Sequence, residues 1–216
     1  LTGCRSYTVV GDVNQRLVKI DEVPAMLRLE ELYGKFVKRF DLNKSYRSTQ
    51  QIMEYASKLL DENAIVPFVR KGKYDVEEVE IKDRTKAVLD IVLPRATYGT
   101  VHNCYNVLDK TTILETLEEY DDENYENIAV ITKDKDELQR IAPELKKFTK
   151  IMAFDKADII YRGGKVIVPS YYAKGLEFDG VIVVNFDDNT DDLVKYIMAT
   201  RALHRLKVVN YRMGRI

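Results

Sequence analysis

The stretch VIVPSYYAKGLEFDGVIVV, residues 166–184, sets a short charged turn between two apolar runs. Both runs are continuous and rich in β-branched residues, which is typical of strands in a parallel sheet that is covered on both faces. In the turn, Gly175 lets the backbone pass close to a bulky group, and the Glu177 carboxylate can accept hydrogen bonds from a sugar hydroxyl. The turn is either a ligand-binding loop at a strand end or a surface loop whose charged side chains are only solvated.

Strands and helices alternate along the rest of the chain, which predicts an α/β fold: a mostly parallel sheet of the nucleotide-handling type with helices on both faces. The other predicted strands cover residues 6–10, 76–81, 128–132, 150–154 and 206–210. The predicted helices cover residues 25–40, 50–60, 85–93, 111–120, 135–148 and 193–205. Ser48 or Thr49 is expected to cap the second helix, and Pro143 to kink or divide the fifth. In the last helix, Arg201 should project away from the apolar face.

The composition indicates a soluble cytoplasmic protein without a membrane partner. The 216 residues contain no Gly/Pro-rich or Ser-rich linker, so we expect one domain with at most a strip of a neighbour. No apolar run approaches the ~18 residues that span a bilayer, and no secretory signal pattern is present. Cys4 and Cys104 lie far apart, which favours free thiols over a zinc site or a disulfide framework.

The charge balance gives no global attraction to nucleic acid, because the formal net charge is −1. Any such binding must therefore use a local track of Lys and Arg. The acidic runs at 115–126 and 187–192 lack a regular ligand spacing, which favours solvated loops and helix ends over metal sites.

Two further segments could reach an anion. The predicted strand at 6–10 runs directly into Gly11 and Asp12, and Gln15 follows three residues later, where a polar side chain could face a phosphate. Arg47 lies in a loop at the entry to the second predicted helix, and helix N-terminal amides also favour negative charge. Arg47 therefore either reaches a bound anion or pairs with a neighbouring carboxylate.

Four segments stand in a fixed order: VVGDVNQ at 9–15, NKSYRS at 43–48, AKGLEFD at 173–179 and YIMATRALHRL at 196–206. Together they resemble motifs III, IV, V and VI in the C-terminal half of a superfamily 1 DNA helicase of the UvrD/Rep type. The segment PSYYAKGLEF, residues 169–178, resembles the HelD branch of that family more than UvrD itself. The resemblance implies that residues 1–20 are the last strand of a first RecA-like domain. Residues 21–216 would be the second RecA-like domain, with residues 65–125 matched only in general layout.

The resemblance also implies roles for individual residues at an ATP site. Gln15 would sense the γ-phosphate from the end of the first domain, and Arg47 and Arg201 would be donated across the cleft to the phosphates. Guanidinium groups suit this task, because they stay charged while negative charge develops on the phosphoryl oxygens. Glu177 would hold the ribose, and Gly175 would let the loop close on the nucleotide.

The chain departs from the family pattern before the Lys-Gly-Leu-Glu turn. UvrD-like proteins carry Thr-x-His there, which contacts single-stranded DNA, whereas this chain has Pro169 and Tyr171 at those places. Tyr171 either stacks on a base or packs against the sheet. Lys174 either orients the loop or contacts DNA. After Gln15, the chain continues with Arg-Leu-Val-Lys and lacks the family's aromatic residue.

No GxxxxGK[ST] loop and no acidic strand end of the Walker B type occur in the chain. Alone it is therefore expected neither to bind ATP strongly nor to hydrolyse it, and the ligands of Mg²⁺ are expected in a missing N-terminal RecA-like domain. The expected parent is an ATP-dependent DNA helicase that acts on single-stranded DNA. Two alternatives remain open: a HelD-like ATPase that acts on RNA polymerase, and a catalytically inactive RecA-like interaction module.

Overall fold

The apolar runs that predict buried strands do form strands. The computed structural model describes residues 6–12, 25–40, 42, 45–60, 70–82, 110–156, 160–186 and 190–212. The strands in this part of the chain are β1 (Glu77–Lys82), β2 (Asn127–Thr132), β3 (Met152–Ala153), β4 (Gly164–Pro169), β5 (Phe178–Asn185) and β6 (Ala202–Arg212). The helices are α1 (Ala25–Tyr33), α2 (Gln50–Ser57), α3 (Lys110–Asp122), α4 (Lys135–Leu145), α5 (Ser170–Ala173) and α6 (Asp192–Ala199).

The six strands form one sheet in the order β1-β6-β5-β2-β4-β3, and all pairings between the described strands are parallel. Helices α2, α5 and α6 cover one face of the sheet, and α3 and α4 cover the other. Successive residues of β5 show the alternation: Val181 and Val183 pack towards the first set of helices, and Ile182 and Val184 towards the second. This three-layer arrangement confirms the predicted α/β fold of the RecA-like type.

Several predicted elements are confirmed with shifted ends. The strand predicted at 76–81 is β1, the strand at 128–132 is β2, and the helix at 111–120 is α3. Helix α4 is not divided, because Pro143 lies in its last turn and removes only one hydrogen bond near the end. The helix predicted at 85–93 and the residue Gln15 lie outside the described residues.

The helix predicted at 25–40 is too long. Helix α1 ends at Tyr33, because Gly34 adopts φ +50°, and a 3-10 turn at Gly34–Phe36 follows. Leu32, Phe36 and Phe40 are exposed, so the apolar period that suggested a longer helix does not mark a face buried within the described residues.

One predicted strand and two predicted helix ends are wrong. Residues 6–10 have no regular secondary structure and are exposed, as expected for a strand sequence without a paired neighbour. Helix α2 ends at Ser57, three residues before the predicted end. Its N-cap is Thr49, which makes no capping hydrogen bond, while Ser48 Oγ donates instead to the Ala202 carbonyl at 2.7 Å. Helix α6 ends at Ala199, six residues before the predicted end, and β6 begins at Ala202, four residues before the predicted start of that strand.

None of the helices in the described ranges has both the length and the apolar character that a membrane crossing requires. The described part of the chain also contains no group of three or more His, Cys, Asp or Glu side chains that could hold a metal ion.

A buried arginine joins the neighbouring strands β1 and β6 to helix α3. Arg205 on β6 contacts the carboxylates of Glu77, Glu119 and Glu123, and its guanidinium lies 5.3 Å from the centre of the Tyr120 ring. Burial lowers the pKa of Arg205, but the hydrogen bonds that its guanidinium donates to Glu119 and Glu77 outweigh burial and raise the pKa above its usual value. Arg205 therefore stays charged and connects β6, β1 and α3.

We expect Arg205→Ala to lower the free energy of unfolding by about 2–3 kcal/mol, because it leaves three carboxylates without their shared cation. The cost falls below that of a fully buried pair because these carboxylates reach solvent. Urea unfolding followed by circular dichroism measures it. The exposed Arg162 provides the control, since Arg162→Ala should change stability by less than about 0.5 kcal/mol. Equal losses of stability in Arg205→Ala and Arg162→Ala would contradict the role of Arg205 in connecting β1, β6 and α3.

Gly180 on β5 leaves room for the buried ring of Tyr120. A Cβ at position 180 would lie 2.4 Å from Tyr120 Cδ2 and 2.7 Å from Cε2. We expect Gly180→Ala to cost about 1–3 kcal/mol through overpacking. Adding Tyr120→Leu should relieve the clash, so the double variant should lose less stability than the sum of the single variants. Additive losses in a urea double-mutant cycle would refute this packing.

Candidate functional site

Three segments meet at the edge of the sheet where the parallel strands begin. Residues 174–177 lead into β5, Thr200 and Arg201 lead into β6, and residues 45–49 lead into α2. Phe178 N donates to the Arg201 carbonyl at 3.0 Å, and Ser48 joins the same region through Ala202. The three segments are therefore fixed relative to one another by hydrogen bonds, and their side chains share this amino-terminal edge.

Arg47 and Glu177 are brought together although 130 residues separate them. Arg47 Nη1 lies 3.3 Å from Glu177 Oε1, and Arg47 Nη2 donates to the Thr200 carbonyl at 3.0 Å. The two side chains are 34% and 46% exposed, so this ion pair is worth at most about 1 kcal/mol. Within the described residues, Arg47 Nε is buried and has no hydrogen-bond partner. Arg47 can thus exchange its carboxylate for another anion at small cost.

Arg201 lies beside this pair but is only 1% exposed, which corrects the prediction that it projects away from the apolar face. The prediction failed because α6 ends before Arg201, and the chain turns back towards the sheet. Arg201 Nε donates to the Ile197 carbonyl at 3.0 Å, Nη2 to Thr200 Oγ1 at 3.2 Å, and Nη1 to the Leu176 carbonyl at 3.5 Å. These bonds connect the end of α6 to the turn that carries Glu177.

The environment of Arg201 lowers its pKa to about 10. Burial is the largest cause, since it disfavours the charged form, and the neighbouring positive charge of Arg47 adds to it. The carboxylate of Glu177 opposes both effects. The Asp12 carboxylate acts on the ionisation of Arg201 and of Tyr196, so the described end of the VVGD segment also lies near the site.

Gly175 adopts φ +88°, a conformation that favours glycine, and a Cβ there would have no described atom within 4 Å. Glycine is therefore required for the direction of the turn, and the space beside it is open. Lys174, immediately before it, is exposed. Both residues lie with Glu177 on the amino-terminal side of β5.

Tyr171 lies elsewhere. It follows the carboxyl end of β4, where Ser170 Oγ donates to the Lys133 carbonyl just after β2. Its ring is 39% exposed and contacts Tyr172 edge to face at 4.6 Å, while Tyr172 packs towards Phe154. Tyr171 therefore follows the carboxyl end of a strand, whereas the two arginines lie at the amino-terminal edge of the sheet, and its ring packs on Tyr172.

Tyr46 is a residue that sequence reasoning missed. It directly precedes Arg47 and is 66% exposed, so an aromatic face is presented at the same edge as the two arginines. The available signal was an aromatic residue within NKSYRS, next to a candidate anion ligand.

Asp191, from one of the acidic runs, has a structural role, since its carboxylate accepts a hydrogen bond from the Leu193 N–H and caps α6.

The all-parallel pairing of the described strands, with helices on both faces of the sheet, defines an α/β domain of the RecA-like type. No protein-family model and no curated protein matches the sequence. Among solved structures, the chain is similar to the C-terminal domain of a possible DNA helicase from Lactobacillus plantarum WCFS1, with 25% sequence identity and a TM-score of 0.53. The similarity covers 77% of this chain and 88% of that one. It supports the predicted helicase C-terminal domain at this coarse level.

The two arginines should differ in their effect on stability. Arg201→Ala should lower the free energy of unfolding by about 2–3 kcal/mol, because removal of the buried guanidinium leaves its three hydrogen-bond acceptors without a donor. Arg47→Ala should cost about 1 kcal/mol or less, because its ion pair is partly exposed. Urea denaturation of the 216-residue chain measures both. Equal losses of unfolding free energy in the two variants would show that the buried Arg201 does not stabilise the fold around the site.

Proposed function

We propose that the chain is the C-terminal RecA-like domain of an ATP-dependent DNA helicase of superfamily 1. In this proposal, its amino-terminal sheet edge completes an ATP site, and a preceding RecA-like domain supplies the other half. The observation that carries the proposal is the meeting of Arg47, Glu177 and Arg201, which come from distant parts of the sequence, at one edge of the sheet. The similarity to a helicase C-terminal domain supports it.

The donors at this edge fit a nucleotide. Arg47 Nε is buried without a partner among the described residues, and the contact between Arg47 and Glu177 is weak enough to be replaced by a phosphate. ATP bound here would supply a phosphoryl group on which negative charge develops during hydrolysis. Arg47, which stays charged and can donate two parallel hydrogen bonds, would bind that charge.

Once Arg47 turns to a phosphate, the Glu177 carboxylate is free to accept hydrogen bonds from the ribose. Arg201 would first hold the turn in place, since it donates to the Leu176 carbonyl. Its Nη1 makes the longest of its three bonds, at 3.5 Å, and is the end that would change partner to reach a phosphate. Gly175 would let the turn approach the nucleotide, and Gln15 would sense the γ-phosphate.

Magnesium belongs to the other half of the proposed site. The described residues contain no cluster that could hold a metal ion, and the sequence has neither a phosphate-cradling loop nor a Walker B carboxylate. The Mg²⁺ ligands are therefore proposed to lie in the preceding domain. The isolated chain is expected to show no ATP hydrolysis.

Single-stranded DNA is the proposed second ligand. Tyr171 presents a partly exposed ring at the carboxyl edge of the sheet, where a base could stack on it. Lys174 is exposed in the turn before β5 and would contact a phosphate of the strand. The two residues lie at opposite edges, so the strand would have to run across the domain to contact both.

A second candidate function follows from the sequence PSYY at 169–172, which replaces the residues that contact DNA in UvrD-like proteins. In this alternative, the parent is a HelD-like ATPase that acts on RNA polymerase. Stimulation of the full-length parent's ATPase by single-stranded DNA would favour the helicase, whereas stimulation by polymerase alone would favour the alternative.

In the full-length parent, Arg47→Ala should lower kcat for ATP hydrolysis roughly a thousandfold, because a transition-state cation is removed. Arg47→Lys should recover only part of the rate, since lysine cannot donate the paired hydrogen bonds of a guanidinium. Steady-state ATPase assays with saturating single-stranded DNA measure these rates. Arg140→Ala removes an exposed arginine on α4, which packs on the opposite face of the sheet from α2 and α6, and serves as the control. An unchanged kcat in Arg47→Ala would eliminate the proposed role of Arg47 at the ATP site and would favour the alternative in which this domain is a catalytically inactive RecA-like interaction module.

A further inference from the structure

A second cationic cluster lies near the same edge of the sheet, at the N-terminus of α2. Residues 70–74, RKGKY, pass close to α2 and line a cavity of about 220 Å³. Its wall includes Arg70, Lys71, Lys73 and Thr49, and we call it the cationic pocket. Arg47, Glu177 and Arg201 are not among its lining residues. The pocket is therefore separate from the proposed ATP site.

Hydrogen bonds hold this segment in place before any ligand arrives. The side chain of Gln51 accepts from Gly72 N at 2.8 Å and donates to the Gly72 carbonyl at 2.9 Å. Gln50 N donates to the Arg70 carbonyl at 2.7 Å. A Cβ on Gly72 would lie 2.8 Å from Thr49 Cβ, so glycine permits the close approach of the segment to the helix. The cations are thus presented by a fixed backbone.

Two donors in the pocket wall have no hydrogen-bond partner in the described part of the chain. Thr49 is only 3% exposed, and its Oγ1 makes no hydrogen bond even though Thr49 is the N-cap of α2. Arg70 Nε is also buried without a partner, while Arg70 Nη2 donates to the Leu203 carbonyl. Buried polar groups are almost always paired, so an unpaired hydroxyl and an unpaired guanidinium N–H together mark a place where a ligand completes the structure.

The charge of the pocket favours an anion. Its acidic lining residue, Glu123, contacts Arg205 and also acts on the charge of Lys73, so it offsets part of the charge of the three cations but not all of it. The N-terminus of α2 adds partial positive charge, and an N-cap hydroxyl can donate to an anion there. A phosphate, with several acceptor oxygens, can take hydrogen bonds from a hydroxyl, a guanidinium and an ammonium group together.

We propose that the cationic pocket binds a phosphate group carried by a nucleic-acid strand or by a free nucleotide. Thr49 and Arg70 would hold the phosphate at the base of the pocket, and Lys71 and Lys73 would hold it at the rim. The proposal does not depend on the ATP site, and its test uses no ATP and leaves Arg47 and Arg201 unchanged.

The test measures binding to the 216-residue chain by fluorescence anisotropy of a 5′-labelled oligothymidylate of about 12 nucleotides. The competitors are the unlabelled oligonucleotide, thymidine monophosphate and inorganic phosphate. Lys71→Ala/Lys73→Ala should weaken oligonucleotide binding about tenfold. The slope of log affinity against log salt concentration should become shallower by about 0.7, the value for one contact with a single-stranded phosphate. Lys146→Ala/Lys147→Ala removes the same charge just after α4 and should leave binding within about twofold of the unmodified chain.

Thr49→Val separates a binding role from a structural one. It keeps the shape of the side chain but removes the unpaired hydroxyl, so affinity should fall several-fold while the melting temperature stays equal or rises. A loss of affinity only together with a loss of thermal stability would overturn the role assigned to Thr49.

The competitors identify the source of the phosphate. Displacement by thymidine monophosphate at concentrations similar to the oligonucleotide supports a free nucleotide, and displacement only by the oligonucleotide supports a strand. Three results would overturn the proposal: no binding of any of the three probes, equal weakening in the two double-lysine variants, or binding of inorganic phosphate as tight as that of either ester.

Discussion

Parallel strands impose a constraint on every connection between them, because the chain leaves each strand at the carboxyl edge and must return to the amino edge before the next strand begins. After β4, the return runs through α5 and ends in the turn that carries Gly175 and Glu177. After β5, it runs through α6 and ends at Arg201. Since β5 and β6 pair with each other, starting at Phe178 opposite Ala202, the two returning segments must arrive side by side. The candidate site is a consequence of this geometry.

The two arginines at this edge occupy different environments. Arg47 is partly exposed and holds Glu177 through a weak ion pair, so it is suited to exchange partners. Arg201 is buried, and it uses its donors on the end of α6 and on the Leu176 carbonyl, so it is suited to hold the turn. A single label of "arginine donated to a phosphate" does not describe both side chains. In the proposed ATP site, Arg47 would contact the phosphate directly, and Arg201 would first hold the turn that carries Glu177.

Basic side chains from distant segments, among them Arg47, Arg70 and Arg201, lie near the amino-terminal edge of the sheet. The formal net charge of −1 does not predict this grouping, because it sums all charges regardless of their positions in the fold. Arg70 and the lysines beside it remain at the cavity wall, close to the amino ends of β1 and β6. A composition total cannot reveal such a separation, since it depends on which charges are neutralised in the folded state.

The sequence by itself determined the fold class, because continuous β-branched runs and helical periods report local burial, and β2, β4 and β5 follow from them. It also placed Arg47, Glu177 and Arg201 in one proposed site, through the order of four segments. Only the tertiary structure decided that α6 ends at Ala199, that Arg201 is buried, and that Arg47 pairs with Glu177 across 130 residues. The physical reason is that strand pairing competes with helix propensity at residues 202–205, and contacts between distant segments leave no local period in the sequence.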